Sequence, residues 1–417
     1  MPIPTMKDKP ESSGKLQRSI GFPMLVLYGM GTMVGAGFYA LAGKVAGTAG
    51  LFAPIAFGLA GLLALFSALA FAELSSRIPH AGGSARYLEE VFGKQWLSAI
   101  VGWLIITTGI VSAATLTVAT VRFIRDFVSL PEQLTLVAVA LIMGGIAAWG
   151  VRQAVGVVAG ICVLQIATLL YVVFGSATLP DPTAVSWAEL LPPLESTAWL
   201  GILSAAFLAF YAFIGFEDMV NMAEEVKDVR TTMPWALILA LILTALLYMV
   251  VSTALMLTIP PETLASAKTP LAEAVRHHGA WAVGAIGIIS ILSAVNSALV
   301  QIVMVARVAY GMAERDYAPA VLGRVSARTK TPWVATVLAT LAIIVLALSL
   351  EMTTLANATS VVLLSVFTVV NIGLWWLKGR DKEQQPAGRF SLPRSVPLIG
   401  AGVSVAALLF KLWQALT

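Results

Sequence analysis

Two apolar stretches of this chain contain residues that an unbroken membrane helix does not want, and they lie at matching places in its two halves. The first holds Gly35-Ala36-Gly37; the second holds Ile214-Gly215-Phe216-Glu217. A helix interrupted in hydrocarbon leaves backbone N–H and C=O groups that only a cavity, a ligand or other protein can satisfy. N–H groups at the start of a half-helix favour an anion, and carbonyls at the end of one favour a cation. The chemistry such groups do is binding, not bond-making.

In the first stretch Gly29, Gly31, Gly35 and Gly37 punctuate an apolar run from Pro23 to Leu41. Small residues four apart, such as Gly31 and Gly35, serve close packing between membrane helices. Gly35-Ala36-Gly37 does not fit that use, because three successive residues face three directions, so local unwinding is the better reading. In the second stretch Phe207, Phe210, Tyr211, Phe213 and Phe216 surround Ile214-Gly215, and then Glu217, Asp218 and Asn221 stand where an apolar helix should continue. A charge this deep costs about 2.5–3.5 kcal/mol on insertion scales, so something must offset it. At helical spacing Glu217, Asn221 and Glu224 share one face, the expected lining of a hydrated path.

Other chemistries lack their parts. Cys162 is the single cysteine, which excludes an intramolecular disulfide and a multi-cysteine metal site. His80, His277 and His278 fall in connections, where a solvated role outweighs a proton relay. No nucleophile–base pair or metal cluster stands out, so no catalytic and no metal residue is assigned, and the chain is not read as an enzyme. The net charge of +4 comes mostly from loops and points to membrane topology, not to nucleic acid.

These residues are positioned by an all-α polytopic membrane protein. Of 417 residues 59% are hydrophobic and 12% charged, against about 25% charged in soluble domains. A span needs about 20 mainly apolar residues. That rule places eleven spans near 22–47, 51–75, 96–121, 134–150, 154–175, 199–223, 235–259, 281–306, 332–350, 354–377 and 396–416. Residues 1–18 have no apolar core and read as a cytoplasmic tail. With the N-terminus inside, 20 of the 26 Lys and Arg fall on the inner side, as the positive-inside rule requires. Residues 19–380 form the transport core, and 381–417 a cytoplasmic loop with an additional eleventh span, whose end lies outside. Spans one to five (19–175) and six to ten (199–378) start in opposite directions, so any repeat between them is inverted. An interrupted first helix in each inverted half is the mark of a secondary transporter's midplane site.

The ordered motifs resemble the amino acid-polyamine-organocation family, in its branch of bacterial amino acid permeases. Gly29-Met-Gly-Thr-Met-Val-Gly-Ala-Gly-Phe38 is similar to that family's first helix. Ala72-Glu73-Leu74, Pro79 and Ala81-Gly82-Gly83-Ser84, closed by Gly102-Trp103, resemble its second helix and loop. Phe213-Ile-Gly-Phe-Glu217, Ala223-Glu224-Glu225-Val226-Lys227-Asp228 and Pro234 resemble the sixth. Leu292-Ser293-Ala294, Asn296-Ser297, Arg307, Tyr310, Met312-Ala313, Thr331-Pro332 and Arg389-Phe390 complete the series. Members usually carry twelve or more spans; this chain shows eleven.

The resemblance implies a LeuT-type fold, a 5+5 inverted repeat with discontinuous helices 1 and 6, working by alternating access. It implies that a substrate carboxylate meets the N–H groups of Ala36 and Gly37, and that its ammonium meets the carbonyls of Met33, Tyr211, Ala212 and Ile214. Side-chain choice would fall to Tyr211, Phe213 and Phe216, with Thr107, Ser112, Ser297 and Asn357. Ser290, Ser293 and Ser297 share a face of span eight where sodium-driven relatives hold their ion, although such serines also serve as packing residues. Where some proton-coupled relatives carry a lysine in span five, this chain offers Gln165, which disfavours that coupling. Protons through Glu217, sodium, or exchange remain the alternatives. The expected function is secondary transport of amino acids, most of all neutral ones, across the cell's inner membrane with no cofactor. A polyamine or cationic amino acid carrier is the alternative within the family. A membrane sensor that binds amino acids without moving them is the alternative outside it.

Overall fold

The computed structural model describes residues 18–80, 83–149, 155–180, 185–380 and 390–416. The tail ahead of residue 18, Ala81 and Gly82 of the loop motif, Arg152 and Arg389 lie outside the described residues.

The regular structure of the described residues is helical, apart from one isolated bridge between Ile20 and Val226. Its helices are α1 (Phe22–Met33), α2 (Ala36–Ala49), α3 (Ala53–Arg77), α4 (Gly83–Phe92), α5 (Gln95–Ile124), α6 (Glu132–Trp149), α7 (Val155–Ala177) and α8 (Ser196–Ala209). They continue with α9 (Val229–Met256), α10 (Pro261–Ser266), α11 (Pro270–Glu273), α12 (Ala280–Ala313), α13 (Trp333–Ser349), α14 (Met352–Arg380) and α15 (Ser395–Leu416). Among the described residues 9 helical stretches are long and apolar enough to cross a membrane, and Phe22–Met33 and Trp333–Ser349 are shorter apolar helices. The longest stretch, Gly37–Arg77, joins α2 to α3 through a tight turn at Gly50–Phe52. Each expected span therefore falls on observed helix.

The bundle is built by long pairings. α5 runs along α12, α3 along α9, and α14 packs on both α5 and α15. α1 lies between α9 and α7, while α2 leans on α8 and α10. Glycines permit these approaches. A Cβ on Gly31 would stand 2.9 Å from the Cβ of Cys162 on α7.

A buried ion cluster secures the basic end of the bundle. The Glu73 side chain on α3 is fully buried and takes Lys378 of α14 at 2.5 Å and Arg77 at 2.6 Å. Its second oxygen accepts the Leu392 N–H at 3.0 Å, and Ser76 accepts the Phe390 N–H at 3.2 Å. A carboxylate this deep is tolerable only because cations and N–H donors surround it. The cluster ties the connection ahead of α15 to α3.

Candidate functional site

Both expected breaks are present. α1 stops at Met33 because Val34 leaves the helical ψ (50°) and Gly35 is extended; α2 restarts at Ala36. α8 gives way to a tight 3-10 turn at Phe210–Phe213. Then Ile214 is extended, Gly215 takes φ 123°, and a second 3-10 stretch runs Phe216–Met222. Only glycine adopts that φ without strain.

The two breaks meet each other. Thr32 Oγ1, in the last turn of α1, lies 2.8 Å from the Gly29 carbonyl and 3.0 Å from that of Gly215, its one proton shared between them. A Cβ on Gly215 would stand 2.7 Å from the Thr32 carbonyl oxygen, and a Cβ on Gly37 would stand 3.0 Å from the Cα of Ala212. The N–H groups that open α2, those of Ala36 and Gly37 among them, have no acceptor within their own helix. They sit beside the carbonyls that close α1 and the turn after α8.

Tyr248 of α9 locks this junction, and nothing in the sequence singled it out. Its hydroxyl lies 2.8 Å from the Met33 carbonyl and 3.1 Å from the Ala212 carbonyl. Two of the four carbonyls expected to meet a substrate ammonium therefore already accept from a tyrosine; Met33 also accepts the Gly35 N–H at 2.6 Å, whereas Ala212 keeps its second lone pair. The Tyr248 ring stacks on Phe38 at 4.2 Å between centroids and meets Phe213 edge-on. Phe213 and Phe216 are thus core residues behind the break; Phe216 packs against Phe71 and Phe367. Tyr211 differs, since its hydroxyl pairs with that of Ser112 on α5 at 3.0 Å.

The acids sort themselves differently from the expectation. The helical face Glu217, Asn221, Glu224 assumed 3.6 residues per turn, but this stretch is a 3-10 helix with about three. Asp218 and Asn221, three apart, line a cavity of about 420 Å³ together with Tyr28, Arg307 and Met304. Glu217 turns back and accepts the Gly215 N–H at 2.9 Å, capping the break. A smaller cavity of about 20 Å³ lies between Gly31, Thr32, Asp218, Ser297 and Gln301, room for about one water. Asp218 borders both.

The other expected residues divide. Ser297 faces the first break, since a Cβ on Gly35 would stand 2.5 Å from its Oγ. Gln165 Nε2 donates to Ser293 Oγ at 2.6 Å across α7 and α12, both side chains buried. Ser290 bonds back to the Ile286 carbonyl, as a packing serine does. Thr107 is exposed and bonds back to the Trp103 carbonyl, so it does not serve the site. The Oδ1 atom of Asn357 is buried with no hydrogen-bond partner among the described residues.

A family model described as amino acid permease matches residues 20–414. The chain belongs to the amino acid permease family. The permease is 30% identical over 417 aligned residues to an uncharacterized transporter of Mycobacterium tuberculosis, covering 94% of this chain and 91% of that protein. It is 28% identical to a branched-chain amino acid permease of Bacillus subtilis, over 95% of this chain and 87% of that one. A cationic amino acid transporter of Arabidopsis thaliana shares 27% identity over 86% of this chain and 62% of its own length. These relatives are named for transport, and none for an enzyme. The permease is a multi-pass membrane protein of amino acid transport.

Proposed function

We propose that the permease carries neutral α-amino acids across the cell's inner membrane by alternating access, with its N-terminus in the cytoplasm and 19–175 and 199–378 as inverted 5+5 repeats of a LeuT-type core. The observation that carries this reading is the meeting of the two breaks. It brings the N–H start of α2 within one side chain's width of the carbonyl ends at Met33 and Ala212. Opposite poles side by side match the carboxylate and ammonium of a zwitterion.

The reading of a neutral substrate is supported by the position of Glu217 and by the hydroxyls of α5. Glu217 is turned onto Gly215, and α5 offers hydroxyls such as Ser112 toward Tyr211, with no acid between Trp103 and Thr120. The name of the branched-chain relative points the same way. The large cavity sits at the end that carries Arg86, Arg307 and Arg315, while the cavity beside Lys44 and Lys268 is only about 10 Å³, which supports a state open to the cytoplasm. Ser293 is among the serines that the resemblance links to a coupling cation, and its hydroxyl is already taken by Gln165, which supports reading transport as independent of sodium, through exchange or protons.

Counterflow in proteoliposomes tests the reading. Labelled leucine should enter liposomes preloaded with leucine, and Gly37→Leu, whose side chain would collide with Ala212 and Tyr211, should abolish it. An inert wild type, or a fully active Gly37→Leu variant, would refute the site.

A further inference from the structure

The cavity at the basic end contains charges that the junction of the breaks does not use. Three arginines line it. Arg86 is held by Glu90 at 3.0 Å and Arg315 by Glu89 at 2.5 Å. Arg307, on α12, has neither an ion pair nor a hydrogen bond among the described residues, and its side chain is exposed. Asp218 lines the same cavity from the second 3-10 stretch; it is 8% exposed, and no described group donates to its carboxylate. The Tyr28 side chain lines the same cavity. An acid this buried and left without a donor is costly unless something completes it.

What would complete both groups carries a cation and an anion on one small frame. Ile105, Val300, Val303 and Met304 give the cavity an apolar wall, while Ser98, Asn221 and Tyr317 add polar groups to its lining. The volume of about 420 Å³ falls within the roughly 300–1,000 Å³ of small-molecule sites. We propose that this cavity is a second amino acid site, in which Asp218 takes the ammonium, Arg307 takes the carboxylate through its two-pronged guanidinium, and the apolar wall takes the side chain. The inference rests on the reading that the permease moves zwitterionic amino acids, and it adds a second station to the route. The first station recognises the zwitterion through backbone poles, the second through two side-chain charges. Asp218 also borders the small cavity at Thr32 and Ser297, so the two stations share a wall.

The test is stoichiometry. Purified permease in nanodiscs, titrated with radiolabelled L-leucine, should bind two molecules per chain. Arg307→Gln should weaken one of them about 10- to 100-fold, the cost of a lost charge-assisted hydrogen bond. Arg307→Lys, which keeps the charge, should retain both, which separates a binding defect from misfolding. Gly37→Leu should leave only the molecule that depends on Arg307. L-Leucinamide, which lacks the carboxylate, should compete equally poorly for the vestibule in wild type and in Arg307→Gln. One molecule per wild-type chain, lost in Gly37→Leu and indifferent to Arg307→Gln, overturns the second site and leaves the first standing. Two molecules untouched by Arg307→Gln overturn it as well. No leucine bound in any form overturns both sites for this class of amino acid.

Discussion

Thr32 and Gly215, 183 positions apart in sequence, are joined by a hydrogen bond of 3.0 Å between the Thr32 hydroxyl and the Gly215 carbonyl. One break thus braces the other. The contact is possible only because Gly215 has no side chain; a methyl group there would stand 2.7 Å from the Thr32 carbonyl oxygen.

Gly215→Ala should therefore damage transport beyond any effect on substrate contact. It adds a clash to a backbone held at φ 123°, strain of about 1–3 kcal/mol before the collision is counted. Initial uptake in proteoliposomes should fall about tenfold or more, with a lower melting temperature in detergent. Wild-type uptake in this variant would mean that the break is not needed in this form.

Tyr248→Phe keeps the ring stacked on Phe38 and removes only the hydroxyl between Met33 and Ala212. Two carbonyls then lose their shared donor, at a cost of about 1–3 kcal/mol in stability if water does not replace it. The melting temperature should drop, and leucine affinity should change in the same variant. A drop in stability with affinity intact would make Tyr248 a brace alone.

The cluster at Glu73 makes an asymmetric prediction. Lys378→Met leaves a buried carboxylate with Arg77 as its remaining cation, and breaking such a pair from one side costs about 3–5 kcal/mol. Glu73→Gln combined with Lys378→Met removes both charges and should recover much of the loss. Heating followed by size-exclusion chromatography of the three variants checks the ordering.

Sodium provides a separate check on coupling. With Gln165 donating to Ser293 in the buried contact between α7 and α12, leucine counterflow should be unchanged when choline replaces sodium on both sides. A requirement for sodium would show that this hydrogen bond opens to admit an ion.

On the opposite end, His277 and His278 both approach the Thr178 hydroxyl, at 3.1 and 3.2 Å. Desolvation, then the neighbouring His278, pushes the His277 imidazole below its ordinary value. The folded loop thus resists a proton that the unfolded loop accepts, so local stability is complete above the ordinary value and falls as pH drops through it. Hydrogen-exchange protection in residues 276–279, corrected for the intrinsic rate at each pH, should fall in that window, and His277→Asn should flatten the dependence.

The glycine run and the stranded acids made both breaks legible in the sequence, because hydrocarbon punishes such residues unless they are used. The apolar helices were legible from length and composition, nine of the described ones being long enough to cross a membrane and two shorter. Tyr248 was not, since a lone tyrosine in an apolar span reads as packing and its partner Met33 lies 215 positions away. The exchange of Glu217 and Glu224 for Asp218 was missed because a change of helical period from 3.6 to about three residues leaves no mark in composition. Thr107 was misplaced because nothing in a single apolar stretch says which way a hydroxyl turns, and in a helix the preceding carbonyl is always on offer. Glu73 stood within a family motif, but its pairing with Lys378 joins residues 305 positions apart.

The chain just ahead of α15 hangs from α3 by the Leu392 and Phe390 N–H groups, and α15 itself is largely exposed. When α3 tilts, the last helix must swing with it like an outrigger on a hull. A spin label on the lipid side of α15, at Leu409 for instance, would then record the rocking of the core from a position far from any ligand. Removing both acceptors of the tether with Glu73→Ala and Ser76→Ala together should weaken that signal while leaving the label in place.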